Sequence, residues 1–395
     1  MPDGGKHNIR VVESINDIPA KDWDSCANPD PRRFNPFISH AFLRILEESG
    51  CASERTGWTP QHLVASDSQG VILGVAPCYL KTHSRGEFVF DQGWARAYEE
   101  AGGRYYPKLQ CASPFSPVTG RRLLVRPDAD SARIEQALIA RALRLLEERR
   151  ASSLHLTFVT ADEWRRLGGG RFLQRADSQF HWRNRNYGCF DDFLADLASR
   201  KRKSIRRERR EALAGGVGIE LLTGRDIACA HWDAFFSFYL DTADRKWGHP
   251  YLNLRFFHML GEALGERTLL IMCRRNGRYI GGALNLIGGD ALYGRYWGAA
   301  ESHEFLHFEA CYYQAIEYAI AHRIPRVEAG AQGEHKLARG YLPETTYSLH
   351  YLADPMLHSA VARYLARERK AVEEEAAMMR GTAPFRKQEN PKAGA

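Results

Sequence analysis

LVASDSQGVILGVAPCYL, Leu63 to Leu80, decides the fold, because it returns as LIMCRRNGRYIGGALNLI, Leu270 to Ile287. The two stretches align without a gap. Gly70 falls on Gly277, Gly74 on Gly281 and Ala76 on Ala283. Each reads as an apolar strand, a polar turn around a glycine and a second strand, which is a β-hairpin. Upstream, PFISHAFLRIL from Pro36 matches PYLNLRFFHML from Pro250, with Ser39 and Asn253 as N-cap types and Phe42 on Phe256. Downstream, IEQALIARALRLLEERR from Ile134 matches FEACYYQAIEYAIAHR from Phe308, with Glu135 on Glu309. Helix, hairpin, helix is therefore kept twice, and a repeat of this length predicts two similar α/β domains in tandem. The expected bounds are 1–187, with an aromatic-rich insertion at 81–124, and 188–380, followed by a disordered tail at 381–395.

A chain of 395 residues has room for two domains of ordinary size. No apolar run approaches a membrane span, and MPDGGKHNIRVVES lacks the apolar core of a signal peptide, so the expected location is the cytoplasm. The eight cysteines include no CxxC pair, which removes zinc ribbons and thioredoxin-like chemistry. Net charge is +7, and the basic residues clump: Arg200 to Arg210 holds eight in eleven, with Glu208 as the one acid inside the run. Such a run is either a solvated helix face or a surface for a phosphate, a nucleotide or RNA. Lys203, Arg206 and Arg207 are its phosphate candidates.

Several segments carry chemistry. QGEHKLARGYLP (332–343) follows a predicted strand and packs charged groups into a glycine-bounded loop, where α/β sheets present ligands. Glu334 or His335 can take a proton there, and Lys336 or Arg339 can grip a phosphate or carboxylate. The plain alternative is a charged surface loop. Glu309 is a further candidate base, although its match to Glu135 points to a shared structural role. Arg245, Lys246 and Trp247 combine two cations and an aromatic in a turn. In the insertion, Arg85, Glu87, Asp91, Tyr105, Tyr106 and Lys108 are candidates to line an acceptor cleft, against the alternative of plain core. His303-Glu304-Phe305-Leu306-His307 is a literal HExxH, but it stands at a loop-to-helix junction, so no metal is expected.

Three stretches carry a family resemblance: 84–124, the basic helix KRKSIRRERR, and HFEACYYQAIEYAIAHRIPRVEAGAQGEHKLARGYLP (307–343). On them the chain resembles the FemAB-like predicted N-acyltransferases (peptidoglycan biosynthesis/recognition proteins) of the Gcn5-related N-acyltransferase (GNAT) superfamily. The resemblance implies two fused GNAT-like α/β domains, each with a mixed sheet flanked by helices. It implies transfer of an acyl or aminoacyl group from acyl-CoA or aminoacyl-tRNA to an amine, for example of a cell-wall precursor. It implies a donor that binds as a co-substrate, with no tightly bound cofactor expected. The second domain is expected to supply the transfer machinery and the first an acceptor surface. Arg295-Tyr-Trp-Gly298-Ala-Ala300 matches the GNAT pyrophosphate pattern, but in a predicted strand rather than at a helix start, which argues against ordinary acetyl-CoA binding. A non-catalytic module that recognises a cell-wall or nucleotide ligand, and an RNA-binding protein, are the alternatives from other classes.

Overall fold

A computed structural model describes residues 8–246, 249–331 and 333–386, with the side chains of 243–246 and 334 left out of the description. In chain order the strands are β1 (Asn8–Val12), β2 (Trp58–Pro60), β3 (His62–Ser66), β4 (Ile72–Ala76), β5 (Cys78–Lys81), β6 (Lys108–Cys111), β7 (Leu124–Val125), β8 (Ser153–Val159), β9 (Leu173–Arg183), β10 (Gly218–Thr223), β11 (Thr268–Arg275), β12 (Arg278–Ile287), β13 (Ala291–Ala299), β14 (Arg326–Glu328) and β15 (Leu342–Leu352). The helices are α1 (Ala20–Ala27), α2 (His40–Glu48), α3 (Gln92–Glu100), α4 (Ser131–Glu148), α5 (Ala161–Leu167), α6 (Phe190–Asp196), α7 (Ser199–Ala212), α8 (Cys229–Lys246), α9 (Leu254–Leu264), α10 (Leu306–Phe308), α11 (Gln314–Ala321) and α12 (Pro355–Gly381). A π-helical turn, Glu309–Tyr313, joins α10 to α11. Among the described residues no helix is long and apolar enough to cross a membrane.

The chain divides into two compact units, and neither is contiguous. Unit 1 takes Met1–Asp177, His249–Gly265 and Thr345–Val372; unit 2 takes Ser178–Gly248, Glu266–Glu344 and Glu373–Ala395. The expected single boundary at 187/188 is thus replaced by several crossings. The reason is burial of apolar faces. Helix α9 packs on α2, with Phe256 edge-on to Phe42 at 6.0 Å and Asn253 donating to the Ser49 carbonyl at 2.7 Å. The first half of α12 covers Trp94 and Tyr105 with Leu357, Val361 and Leu365. The expected caps are present: Ser39 Oγ accepts from the Phe42 N–H and Asn253 Oδ1 from the Phe256 N–H. The segment 381–386, expected as tail, is docked in unit 2: the Ala198 N–H donates to the Pro384 carbonyl and Phe385 lies under the Arg185 guanidinium.

In unit 1, β1-β3-β4-β7 form an antiparallel sheet, and β2-β5-β6-β8-β15 lie side by side in that order. Pro77 breaks the second strand of the first hairpin into β4 and β5. Helix α4 packs against β3 and β4 through Ile134, Leu138, Ala142 and Leu145. Each buried Leu or Ile there contributes about 1.5–3 kcal/mol. Gly74 permits the close approach, since a Cβ on it would stand 2.5 Å from Ile134 Cγ2. In unit 2 the order is β10-β11-β12-β13-β14-β9. Strands β13 and β14 run parallel for three pairs, Ala291–Arg326, Leu292–Val327 and Tyr293–Glu328, and the ladder then stops. Strand β13 continues to Ala299 on β12, while Ala329 and Gly330 follow Phe180 of β9. The two strands splay apart.

Candidate functional site

The splay in unit 2 opens a cavity of about 100 Å³, lined by Asn285, Arg295, Trp297, His307, Cys311 and Tyr312 among others. Two local irregularities aim these side chains. Leu284 pairs with Tyr296 and Asn285 with Gly294, so Arg295 is an extra residue on β13. A bulge re-aims the side chain it carries. Across the cavity the π-helical turn does the same for a helix, and such turns are frequent at functional positions. Tyr312 reaches the cavity, and its hydroxyl lies 3.0 Å from His335 Nε2. Burial pushes the Tyr312 phenol well above its ordinary pKa, so it remains a neutral hydroxyl whose oxygen can accept from the imidazole Nε2–H. The His307 ring stands 5.3 Å from Tyr312 and 5.5 Å from Trp297. The rim is thus a cluster of imidazole and phenol beside a guanidinium, a set that can exchange a proton and hold negative charge.

The predicted loop supplies one member of this rim. His335 is exposed and faces Tyr312. Gly333 leaves room for it, since a Cβ there would lie 2.4 Å from His335 Cε1. Lys336 and Arg339, expected to grip an anion, turn inward instead. Lys336 Nζ donates to the carbonyls of Ala329 at 2.6 Å and Gly330 at 3.2 Å. Arg339 donates to Glu208 at 2.9 Å and the His335 carbonyl at 2.7 Å, and its guanidinium stacks 3.4 Å from the Phe308 ring. A buried cation takes internal acceptors in place of water, so these two residues build the loop. Lys336 fixes the end of β14 and hence one wall of the splay. The Glu334 side chain and Trp247 lie outside the described residues, as do the side chains of Arg245 and Lys246.

Glu309 is fully buried and bonded: Arg209 donates to it from Nε and Nη2 (2.9 Å at the closest) and Gln314 donates at 2.7 Å. Glu135 is likewise buried in unit 1, paired with Arg166 and Ser131. Both matched glutamates therefore hold helices in place. In the basic helix α7, Glu208 faces inward to Arg339 and Tyr313, while Lys203, Arg206 and Arg207 are exposed. Arg206 pairs with Asp191 at 2.9 Å and Arg207 lies 3.8 Å from Glu211. Lys203 has no ion-pair partner among the described residues.

In unit 1 the insertion residues come together, but in a packed interior rather than an open cleft. Lys108, on β6, donates to Glu87 at 2.7 Å and also bonds Asp91 and Ser84. Tyr106 bonds Ser84, and Tyr105 bonds Asp91 at 2.7 Å. Lys81 is the cross-strand partner of Lys108, and both lysines are fully buried. Like charges directly opposite destabilise a sheet; here the loop acids Glu87 and Asp91 hold Lys108, and burial favours the uncharged form of Lys81. Burial drives Glu87 up to about 7 and Lys81 down to about 6. Burial pushes Asp91 upward most strongly, but Lys108, His155 and Ser84 together outweigh it and hold Asp91 below the usual carboxylate range.

The HExxH residues part company. His303 lies before the helix and meets Arg275 at 2.9 Å, while His307 faces the cavity. Phe305 between them has a left-handed φ of 59° that turns the chain. Among the described residues no group of three His, Cys, Asp or Glu is placed for a metal ion. The HExxH pattern is the sequence signal that singles out His307. Arg295 had a signal only as a pyrophosphate motif, and Tyr312 and Cys311 had none. The pattern's Gly298 sits in β13, as expected, and its role is close packing: a Cβ there would stand 2.2 Å from the Phe238 carbonyl oxygen of α8.

Comparison with known proteins agrees with this architecture. The crystal structure of FemX is 12% identical, with a TM-score of 0.54 over 90% of this chain and 100% of that one. The C-terminal domain of a putative lysylphosphatidylglycerol synthetase from Agrobacterium fabrum is 8% identical, with a TM-score of 0.53 over 88% and 96%. A conserved protein of unknown function from Bacteroides thetaiotaomicron gives 12% and 0.51 over 87% and 100%. No curated protein matches in sequence. At these identities the likeness shows the fold, and the tandem GNAT-like α/β expectation holds. The model of the FemAB-like family, described as peptidoglycan biosynthesis/recognition, matches residues 14–387, and the chain belongs to that family.

Proposed function

We propose that the protein is an N-acyltransferase that works at the splay of β13 and β14 in unit 2. The observation that carries the reading is the bulged Arg295 beside the His307–Tyr312–His335 rim, at the point where the strands part. The donor is an ester or thioester, an aminoacyl-tRNA or an acyl-CoA, bound as a co-substrate. The acceptor is an amine, and the family points to a cell-wall precursor. His335 takes the proton of the acceptor ammonium at Nδ1, with its Nε2–H donating to the Tyr312 oxygen to fix the ring. The amine nitrogen then bonds to the carbonyl carbon while the C–O or C–S bond breaks. The second N–H proton passes to the departing alcohol or thiol, and His335 returns the first to solvent. Arg295 and the strand edge face the charge that develops on the carbonyl oxygen. Lys203 and Arg207, exposed on α7, are placed to meet phosphates of either substrate.

The test is transfer from acetyl-CoA and from an aminoacyl-tRNA mixture to an amine-bearing UDP-linked precursor, with ligand-induced thermal shifts in parallel. Turnover that falls about 10²–10⁴-fold in His335→Ala and His335→Gln, with ligand shifts unchanged, supports the reading. Ligand shifts without turnover in the wild-type protein would establish a recognition module instead. No shift with any of these ligands would remove the donor assignment.

A further inference from the structure

Unit 1 contains the topological counterpart of the unit 2 splay. In unit 2 the order antiparallel neighbour, middle strand, parallel neighbour is β12, β13, β14; in unit 1 it is β5, β6, β8. The parallel ladder again lasts three pairs: Leu109–Leu154, Gln110–His155 and Cys111–Leu156. Strand β6 then ends, while β8 runs on to Val159. Thr157 is thus the counterpart of Ala329, which lines the unit 2 cavity.

The space beside Thr157 is filled from within. Arg122 is buried to 1% exposure and its Nε donates to the Thr157 carbonyl at 2.8 Å. Nη2 donates to Val118 O at 2.7 Å, and Nη1 to Gly120 O and Arg121 O, both at 3.1 Å. The next carbonyl of β8, Phe158 O, accepts from the Gly120 N–H at 3.0 Å. The buried Glu163 carboxylate locks this loop by accepting from the backbone N–H groups of Arg122 and Leu123. The guanidinium is therefore surrounded by carbonyl oxygens, as a bound cation would be.

We infer that Arg122 is an internal ligand that occupies the unit 1 cleft, so that this strand gap is closed to an acyl donor while that of unit 2 is open to one. The donor part of this statement rests on the proposed function, whereas the plug does not. In the full-length protein, Arg122→Ala should lower Tm by about 5–10 °C, because a buried hydrogen-bonded cation is lost from carbonyls that then face a void. Guanidinium chloride at low millimolar concentration should raise the Tm of Arg122→Ala relative to equal sodium chloride. It should leave the wild type unchanged. If Arg122→Ala folds only with the ion present, refolding yield against guanidinium gives the same readout. Arg122→Lys, which keeps the charge, should fall between and respond less. Failure of guanidinium to restore Arg122→Ala overturns the plug. Crystals soaked with pantetheine separate the two claims. Density in unit 2 alone supports both, and density in wild-type unit 1 overturns the plug. Density in neither unit counts against the donor reading, while the guanidinium result still decides the plug.

Discussion

Lys81 has the weakest partners of the buried charged residues in unit 1: the nearest acceptors to its ammonium are at 3.4–3.8 Å, above the Trp58 ring. Burial lowers its pKa to about 6, against an ordinary lysine value of 10.5. Between those values the unfolded chain binds the extra proton, so this group's contribution to stability rises with pH from about 6 to 10.5. Lys81→Met removes the term. Its Tm advantage over the wild type should be largest near pH 6 and shrink by several degrees toward pH 10. A pH-independent difference would show that Lys81 keeps its proton in the fold. Glu87 runs the other way: its pKa is raised to about 7, so its contribution falls as pH rises from about 4.5 to 7. Glu309 makes a sharper case. Glu309→Ala removes the buried acceptor of Arg209 and Gln314, while Glu317 still pairs with Arg209, and should cost about 1–3 kcal/mol in denaturant unfolding. The density of charged and aromatic residues in 84–108 was legible in the sequence. That Glu87, Asp91 and Lys108 neutralise one another inside the protein was not, because the pairing depends on strands that meet only in the fold. The same holds for Lys336 and Arg339, whose inward direction is set by Glu208 and by the carbonyls at the end of β14.

At the scale of elements, local chemistry carried most of the reading. The two hairpins turn at Gly70 and Gly277, with φ of 84° and 80°, and both matched helices begin at the expected caps. Caps and turns are decided within a few residues, which is why they can be read directly. The bulge at Arg295 and the π turn at 309–313 escaped the reading, since register is fixed between strands and not along one. Gly298 shows the difference. Gly298→Ala presses a methyl group onto the α8 backbone and should cost about 1–3 kcal/mol. It should also lower the proposed transfer activity, because β13 must shift to make room. Equal stability of the two proteins in urea would show that α8 can move aside freely.

At the scale of the molecule, the repeat was visible and the exchange of segments was not. Unit 1 needs α9, β15 and the first half of α12, all of which come from the second half of the chain. A fragment ending at 187 therefore lacks the cover for Phe42, Trp94 and Tyr105. Expressed alone, residues 1–187 should keep far-UV helix and strand signal, lose near-UV aromatic signal and bind ANS. Adding a peptide of the α9 sequence should reduce that dye binding. A fragment with sharp cooperative unfolding would refute the assignment of these segments to unit 1. Contiguous halves were the natural expectation from a tandem pattern, because aligned repeats report which elements recur and not which partner each one packs against.

The discontinuity of unit 1 has a consequence on the ribosome. Its first 177 residues emerge well before the strand and helix at 345–372 that complete it. At about 5–20 residues per second, the gap between Asp177 and Leu352 lasts roughly 10–35 s. Throughout that interval the β8 edge destined for β15 has no partner from β15, and β8 is an apolar strand buried along its whole length in the finished protein. The nascent chain thus carries an unpaired strand edge in water over that interval, the feature by which unfinished sheets recruit strands from other chains.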